Sequence, residues 1–244
     1  MTALRLRSLS RGLGLNPRRR AASGGAPPIV QDGLVAEWRF DEGAGQVLTD
    51  YTGNGHHGRL GSTTGSDPDD PAWSAEGLVF TATQSDIVVC DTVGISGGAA
   101  RTVLAAVKTD ASRNFGVEWP GTGPNFQRYT LRHLSNNLRL EVAGAGHTSS
   151  LGLNASSWHF VGATQSGSNL NTAVLYRDGG SEAVPTSQVI DTRGDFQFGR
   201  FSGIFAGMTG AYGLVYNRAL SAAEVEQNRQ VIKAILASRG ITLP

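Results

Sequence analysis

The sequence predicts an all-β fold: a two-sheet antiparallel sandwich with one C-terminal α-helix and an extended N-terminal arm. Three observations predict it. Glycine supplies 33 of 244 residues without a collagen-like period, which suits many tight turns between short strands. Short runs of period-two apolar residues recur with turn signals every 8 to 12 residues. Only one segment, near the C-terminus, carries apolar residues at helical spacing.

The elements come in order along the chain. Leu34 to Phe40 reads as a strand with Leu34, Ala36, Trp38 and Phe40 on one face and Val35, Glu37 and Arg39 on the other. Asp41 to Gly45 is a turn, and Asp50 to Gly58 is a longer loop whose Asn54-Gly55 step suits positive φ. An Asp/Pro-rich loop from Asp67 to Pro71 precedes two short strands, Gly77 to Phe80 and Asp86 to Val89. Arg101 to Lys108, Gln127 to Arg132 and Asn137 to Val142 are the next candidates, the last with Leu138, Leu140 and Val142 as a stripe against Arg139 and Glu141. Trp158 to Thr164 and Ala173 to Arg177 come next, and Asp178-Gly179-Gly180 is a hairpin turn. Ser221 and Glu224 form a capping box, Val225, Ile232, Ile235 and Leu236 mark the helix, and Arg239-Gly240 ends it.

Charge divides the chain. Six of its 21 basic residues (Arg5, Arg7, Arg11, Arg18, Arg19 and Arg20) lie in the first 20 positions, leaving 15 against 20 acidic residues in the rest. A basic arm therefore precedes a mildly acidic body. The arm's apolar residues are interrupted too often for a secretory signal, and the stretch after Arg18-Arg19-Arg20 has the composition of a linker rather than of a twin-arginine signal. Such an arm either docks on an acidic surface, protein or nucleic acid, or is a solvated tail. No run of about 18 apolar residues exists, so no membrane span is expected. Cys90, the single cysteine, excludes an internal disulfide framework and reads as a buried hydrophobe. The expected division is an arm and linker over 1–31, the sandwich over 32–220, and a helix and tail packed on it over 221–244.

The segment from Gly33 to Gly45, followed by Asp50 to Gly58, resembles the opening of laminin-G-like, concanavalin A-like jelly-roll domains. Ser157 to Val161 with Tyr176 to Gly179 looks like their paired central strands, Phe198-Gly199-Arg200 like the following turn, and Tyr216 to Ser221 like the closing strand and helix start. The likeness covers roughly residues 33 to 228. It implies a jelly roll, binding or structural roles, and often a calcium ion near one rim. Asp50 is the candidate calcium ligand, the other reading being that it caps its own loop; Gly210 to Leu214 lacks the acids the family often carries before its last strand.

Catalytic patterns are not apparent in the linear order. Glycoside hydrolysis needs two carboxylates flanking a sugar, which along one strand means an alternating acid pair. Asp41 and Glu42 are consecutive, Asp67, Asp69 and Asp70 sit in a Pro-interrupted loop, and Glu118 and Glu141 look isolated. No serine lies in a nucleophile elbow, and His56-His57 point to opposite sides of an extended chain. The expectation is a non-enzymatic chain. Trp119, Phe126 and Tyr129, beside the loop Pro120 to Pro124, are candidate ligand-binding aromatics or else core residues.

Two functional classes stand. In the first, the resemblance to domains of phage and prophage proteins implies a virion component, head or tail, docked by its six arm arginines onto other virion proteins within an oligomeric assembly and reaching host-surface glycans. Its location would be the virion, made in the host cytoplasm. The second is a bacterial carbohydrate-binding or adhesion module, extracellular or at the cell surface.

Overall fold

A computed structural model describes residues 27–90, 93–110, 114–121, 127–142, 145–201 and 203–244. The arm arginines and Phe126 lie outside the described residues. In chain order the strands of the first half are β1 (Leu34–Trp38), β2 (Val47–Leu48), β3 (Gly58–Leu60), β4 (Ala72–Ser74), β5 (Gly77–Phe80), β6 (Val88–Cys90), β7 (Arg101–Thr109), β8 (Gly116–Trp119) and β9 (Tyr129–Leu134). The second half adds β10 (Asn137–Val142), β11 (Ala145–Gly152), β12 (Trp158–Gln165), β13 (Ala173–Arg177), β14 (Gly180–Ala183), β15 (Phe196–Phe198), β16 (Arg200–Phe201), β17 (Ile204–Phe205), β18 (Met208–Tyr216) and helix α1 (Ala222–Ser238).

Two antiparallel sheets form the sandwich. The helix-side sheet runs β14-β13-β12-β7-β18-β5-β4, with β1 also pairing β18; the open sheet runs β11-β10-β9-β8-β15-β6-β3-β2. Between them lies an aromatic core in which Trp38 stacks on Phe196 at 5.5 Å and meets Phe198 edge-on at 5.4 Å. Gly213 makes this packing possible, because a Cβ there would stand 2.7 Å from the Phe198 ring. The fold class read from the sequence is the observed one.

The helix-side sheet is apolar on both faces. Its outer face presents Leu104, Phe160, Leu214 and Tyr216, which are covered by Val225, Ile232 and Leu236 of α1. Burying those three helix side chains stabilises the docking by roughly 1.5–3 kcal/mol each. The capping box forms as expected: Ser221 accepts from the Glu224 backbone N–H and Glu224 reaches back to Ser221 N–H. Arg239 then clamps the far end, donating to the carbonyls of Arg39, Phe40, Glu76 and Ala211 at 2.8–3.1 Å.

Two local departures have physical causes. A register shift between Leu34 and Ala36 sends Leu34 to the helix side and Val35 to the core, so strict alternation along β1 fails. Packing also starts earlier than Asp32, because Ile29 is buried against the helix layer. Val30 N–H donates to Asn228 Oδ1, Asn228 Nδ2 donates to the Tyr216 hydroxyl, and that hydroxyl donates to Val30 O, each at 2.9 Å. This buried ring of hydrogen bonds ties the first described residues to the helix and the last strand.

Candidate functional site

Three neighbouring strands of the helix-side sheet end together, and the space over their ends forms a cleft. It measures about 510 Å³ and is lined by the end of β5, the end of β7 and the start of β18. Phe80 and Met208, paired across β5 and β18 and both almost fully buried, form its apolar floor. Thr81, Thr83, Lys108, Asp110, Ser156 and Thr209 supply polar groups around it.

Those groups are positioned by the strand ends. Lys108 lies opposite Thr209 on one side and Trp158 on the other, is paired with Glu76, and holds its ammonium 5.4 Å from the Trp158 ring centroid. Asp110 Oδ1 accepts from Asn114 N–H at 3.0 Å, while its backbone bonds Gly207 O and Ser156 N–H. The cleft therefore combines an apolar floor with ordered donors and acceptors, the usual composition of a small-molecule site.

The open sheet carries a second polar array, on its outer face. Gln197, Glu118, Thr130 and Glu141 form one row across β15, β8, β9 and β10. With strands about 4.8 Å apart, Glu118 and Glu141 stand roughly 10 Å apart through Cα. Thr130 Oγ1 donates to Glu118 at 2.9 Å. Glu141 accepts from Arg128 at 3.1 Å, Arg132 at 2.9 Å and Arg139 at 2.7 Å. Burial alone would raise its pKa, but the arginines overcome that and hold the Glu141 carboxyl below the ordinary value.

The candidate residues of the sequence fall elsewhere. Asp50 is 3% exposed and its carboxylate is already occupied: Oδ1 accepts from the N–H groups of Glu37 and Thr52, Oδ2 from His56 N–H, and both from Thr52 Oγ1. Those bonds hold its pKa down against the opposing effect of burial. Asp50 thus caps its loop. Trp119 and Tyr129 are each 1% exposed, with ring centroids 5.7 Å apart, so neither offers a free face to a sugar; the inward side of β8 and β9 places them in the core.

Metal-ligand grouping is found at a loop whose acids, in linear order, read as solvated charge. Asp67, Asp69 and Asp70 bring carboxylate oxygens within 4.8 Å of one another. They converge on Gly61, where a Cβ would lie 2.2 Å from Asp70 Oδ1 and 2.9 Å from Asp67 Oδ1. Hard cations favour such oxygens, yet Asp67 Oδ2 already accepts from Thr63 and Asp70 Oδ2 from Asp67 N–H. Acidic residues spaced along a loop give no sign of this convergence, which depends on the turn at Gly61.

The fold defines a class: jelly-roll-type β-sandwich domains. Within it the chain is similar to a sialidase of Trypanosoma rangeli in complex with sialic acid, at 14% identity and a TM-score of 0.59 over 84% of this chain and 34% of that one. It is similar also to domain 4 of AbnA, a GH43 extracellular arabinanase from Geobacillus stearothermophilus, in complex with arabinotriose: 16% identity, TM-score 0.58, 79% of this chain and 96% of that one. The binding domain of Paraclostridial Mosquitocidal Protein 1 matches at 13% identity and TM-score 0.57, over 84% and 52% respectively. The chain thus spans about a third of the sialidase and half of the mosquitocidal binding domain. No family model and no curated protein matches it in sequence.

These likenesses correct the expectation of a non-enzymatic chain. About a third of each sialidase and a domain of an arabinanase share the fold, so the fold gives no ground for excluding an enzyme. Nor does an acid pair have to lie along one strand, since Glu118 and Glu141 meet across three.

Proposed function

We propose that the chain is a carbohydrate-binding β-sandwich module whose sugar site is the cleft over the ends of β5, β7 and β18. The observation that carries this reading is the pairing of an apolar floor, Phe80 and Met208, with hydroxyl, ammonium and carboxylate groups inside about 510 Å³. A pyranose or furanose ring has the same division. Its C–H face packs on apolar side chains, and its hydroxyls exchange hydrogen bonds with Thr81, Thr83, Asp110, Ser156 and Lys108.

Likeness to an arabinanase domain in complex with arabinotriose supports the ligand class. The virion reading gains no such support: its docking arginines lie outside the described residues, and none of the three proteins named above is a virion protein by name. Host-surface glycans remain compatible partners of the cleft.

Thr83 is exposed at the cleft edge, so Thr83→Trp fills the space without touching the core. Isothermal titration with a panel of neutral and charged oligosaccharides is expected to find a ligand for the wild type and at least about tenfold weaker binding for Thr83→Trp and Lys108→Met, because a lost hydrogen bond to a charged donor costs roughly that much. Unchanged affinity in both variants, with melting temperatures intact, would remove the cleft as the site.

A further inference from the structure

Arg101 opens β7 at the end opposite the cleft, some 26 Å away at about 3.3 Å per residue. It is fully buried, its Cζ standing 5.3 Å from the Trp119 ring centroid and 5.0 Å from that of Tyr129. Nε donates to Ala99 O at 3.0 Å and Nη2 to Gly97 O at 2.7 Å, while Nη1 has no partner among the described residues. No carboxylate among the described residues pairs with it, and desolvation pushes its pKa down.

Other unsatisfied groups gather round this guanidinium. Trp119 Nε1, Tyr129 OH and Thr192 Oγ1 are each buried without a partner among the described residues. The two rings flank Arg101 directly. Thr192 is placed by its bridge to Gly97, the residue whose carbonyl Nη2 bonds. Gln165, the cross-strand partner of Arg101, adds one unpaired Oε1, its amide nitrogen being spent on Gly167 O.

Three side chains therefore offer protons beside the full positive charge of Arg101, against one obligate acceptor, Gln165 Oε1. A water molecule satisfies balanced sites, but it leaves a buried charge uncompensated. We propose that the unpartnered donors of Arg101, Trp119, Tyr129 and Thr192 together bind a small monovalent anion, a halide or a carboxylate of formate size, as a component of the folded module separate from the sugar cleft. The anion accepts from Nη1, Nε1 and the two hydroxyls, and the aromatic faces fix the guanidinium that holds it.

Crystals of the full chain grown in bromide, read by anomalous diffraction, give the first test. A bromide peak within hydrogen-bonding distance of Arg101 Nη1 is expected, and an ordered water alone would overturn the proposal. In solution, the melting temperature in about 0.2 M bromide or formate should exceed that in gluconate of equal ionic strength by about 3 °C or more, the size expected when the anion exceeds its Kd roughly tenfold. A rise with bromide alone assigns a halide, and a rise with formate alone assigns a carboxylate. No rise over gluconate, or an equal rise in Arg101→Met, overturns the site; should Arg101→Met not fold, the wild-type diffraction and gluconate comparison decide.

Discussion

Arg101 and Glu141 are both buried ionisable side chains, and they are treated in opposite ways. Glu141, 2% exposed, is met by three guanidinium groups at 2.7–3.1 Å. Arg101, fully buried, is given two backbone carbonyls and two aromatic rings. A buried charge that receives its counter-charges from its own sheet is complete once the chain folds. Arg101 meets no carboxylate among the described residues, and that missing counter-charge is what the proposed anion supplies.

The largest expected effect breaks the first half of that contrast. Glu141→Gln removes the carboxylate that Arg128, Arg132 and Arg139 share and should cost about 3 kcal/mol in urea unfolding, as uncompensated buried charges do. Arg101→Met, in a buffer of bulky anions, should change stability by less than about 1 kcal/mol, since a buried charge without a counter-charge adds little. Equal costs for the two variants would erase the distinction.

A pH series sharpens it. The folded Glu141 carboxyl lies below its ordinary 4.5, so its contribution is present above that pH and fades as pH falls through the lower folded value. Urea midpoints measured from pH 6 down to pH 2 should therefore drop for the wild type and drop less steeply for Glu141→Gln. Parallel curves would show that Glu141 is not a source of acid sensitivity.

The smallest effect concerns a pair in contact with solvent. Glu224 is pulled down to about 2, chiefly by the Arg218 side chain and then by Ser221 at the helix start. Its contribution is likewise present above about 4.5 and lost towards pH 2. Because the pair is partly exposed and screened, Glu224→Gln should cost only about 1 kcal/mol or less at neutral pH, with the helix signal in circular dichroism preserved. A loss as large as that of Glu141→Gln would mean that burial does not set the scale.

What is legible in the sequence is what is local. The capping box needs only Ser221 and Glu224 three residues apart, and the stripe Leu138, Leu140 and Val142 needs only period two, so the helix and the strand both stand where expected. Register is not local. The row Glu118, Thr130, Glu141 exists because β8, β9 and β10 pair in one alignment, and nothing in the spacing of 23 residues between the two glutamates announces it. Trp119 and Tyr129 are ambiguous in sequence for a related reason, since an aromatic beside a Gly/Pro loop points inward or outward according to the phase of its strand. The cleft is illegible altogether. It is made from the ends of strands that lie far apart in the chain, and its floor residues look like ordinary core hydrophobes.

The clasp around α1 bears on how the module can be joined to other chains. Gln227 Nε2 donates to Pro28 O at 2.7 Å and Arg229 Nη1 to Pro244 O at 2.6 Å, so residues 28 and 244 are fastened to the same helix two positions apart. Polypeptide fused before one or after the other departs from one side of the body, over the sealed face. The row of Glu118 and Glu141 on the opposite sheet stays clear of it. Linking those two positions and opening the chain in the Asp67 to Pro71 loop would yield a circular permutant with every strand pairing kept, a form in which no tether crosses the second sheet.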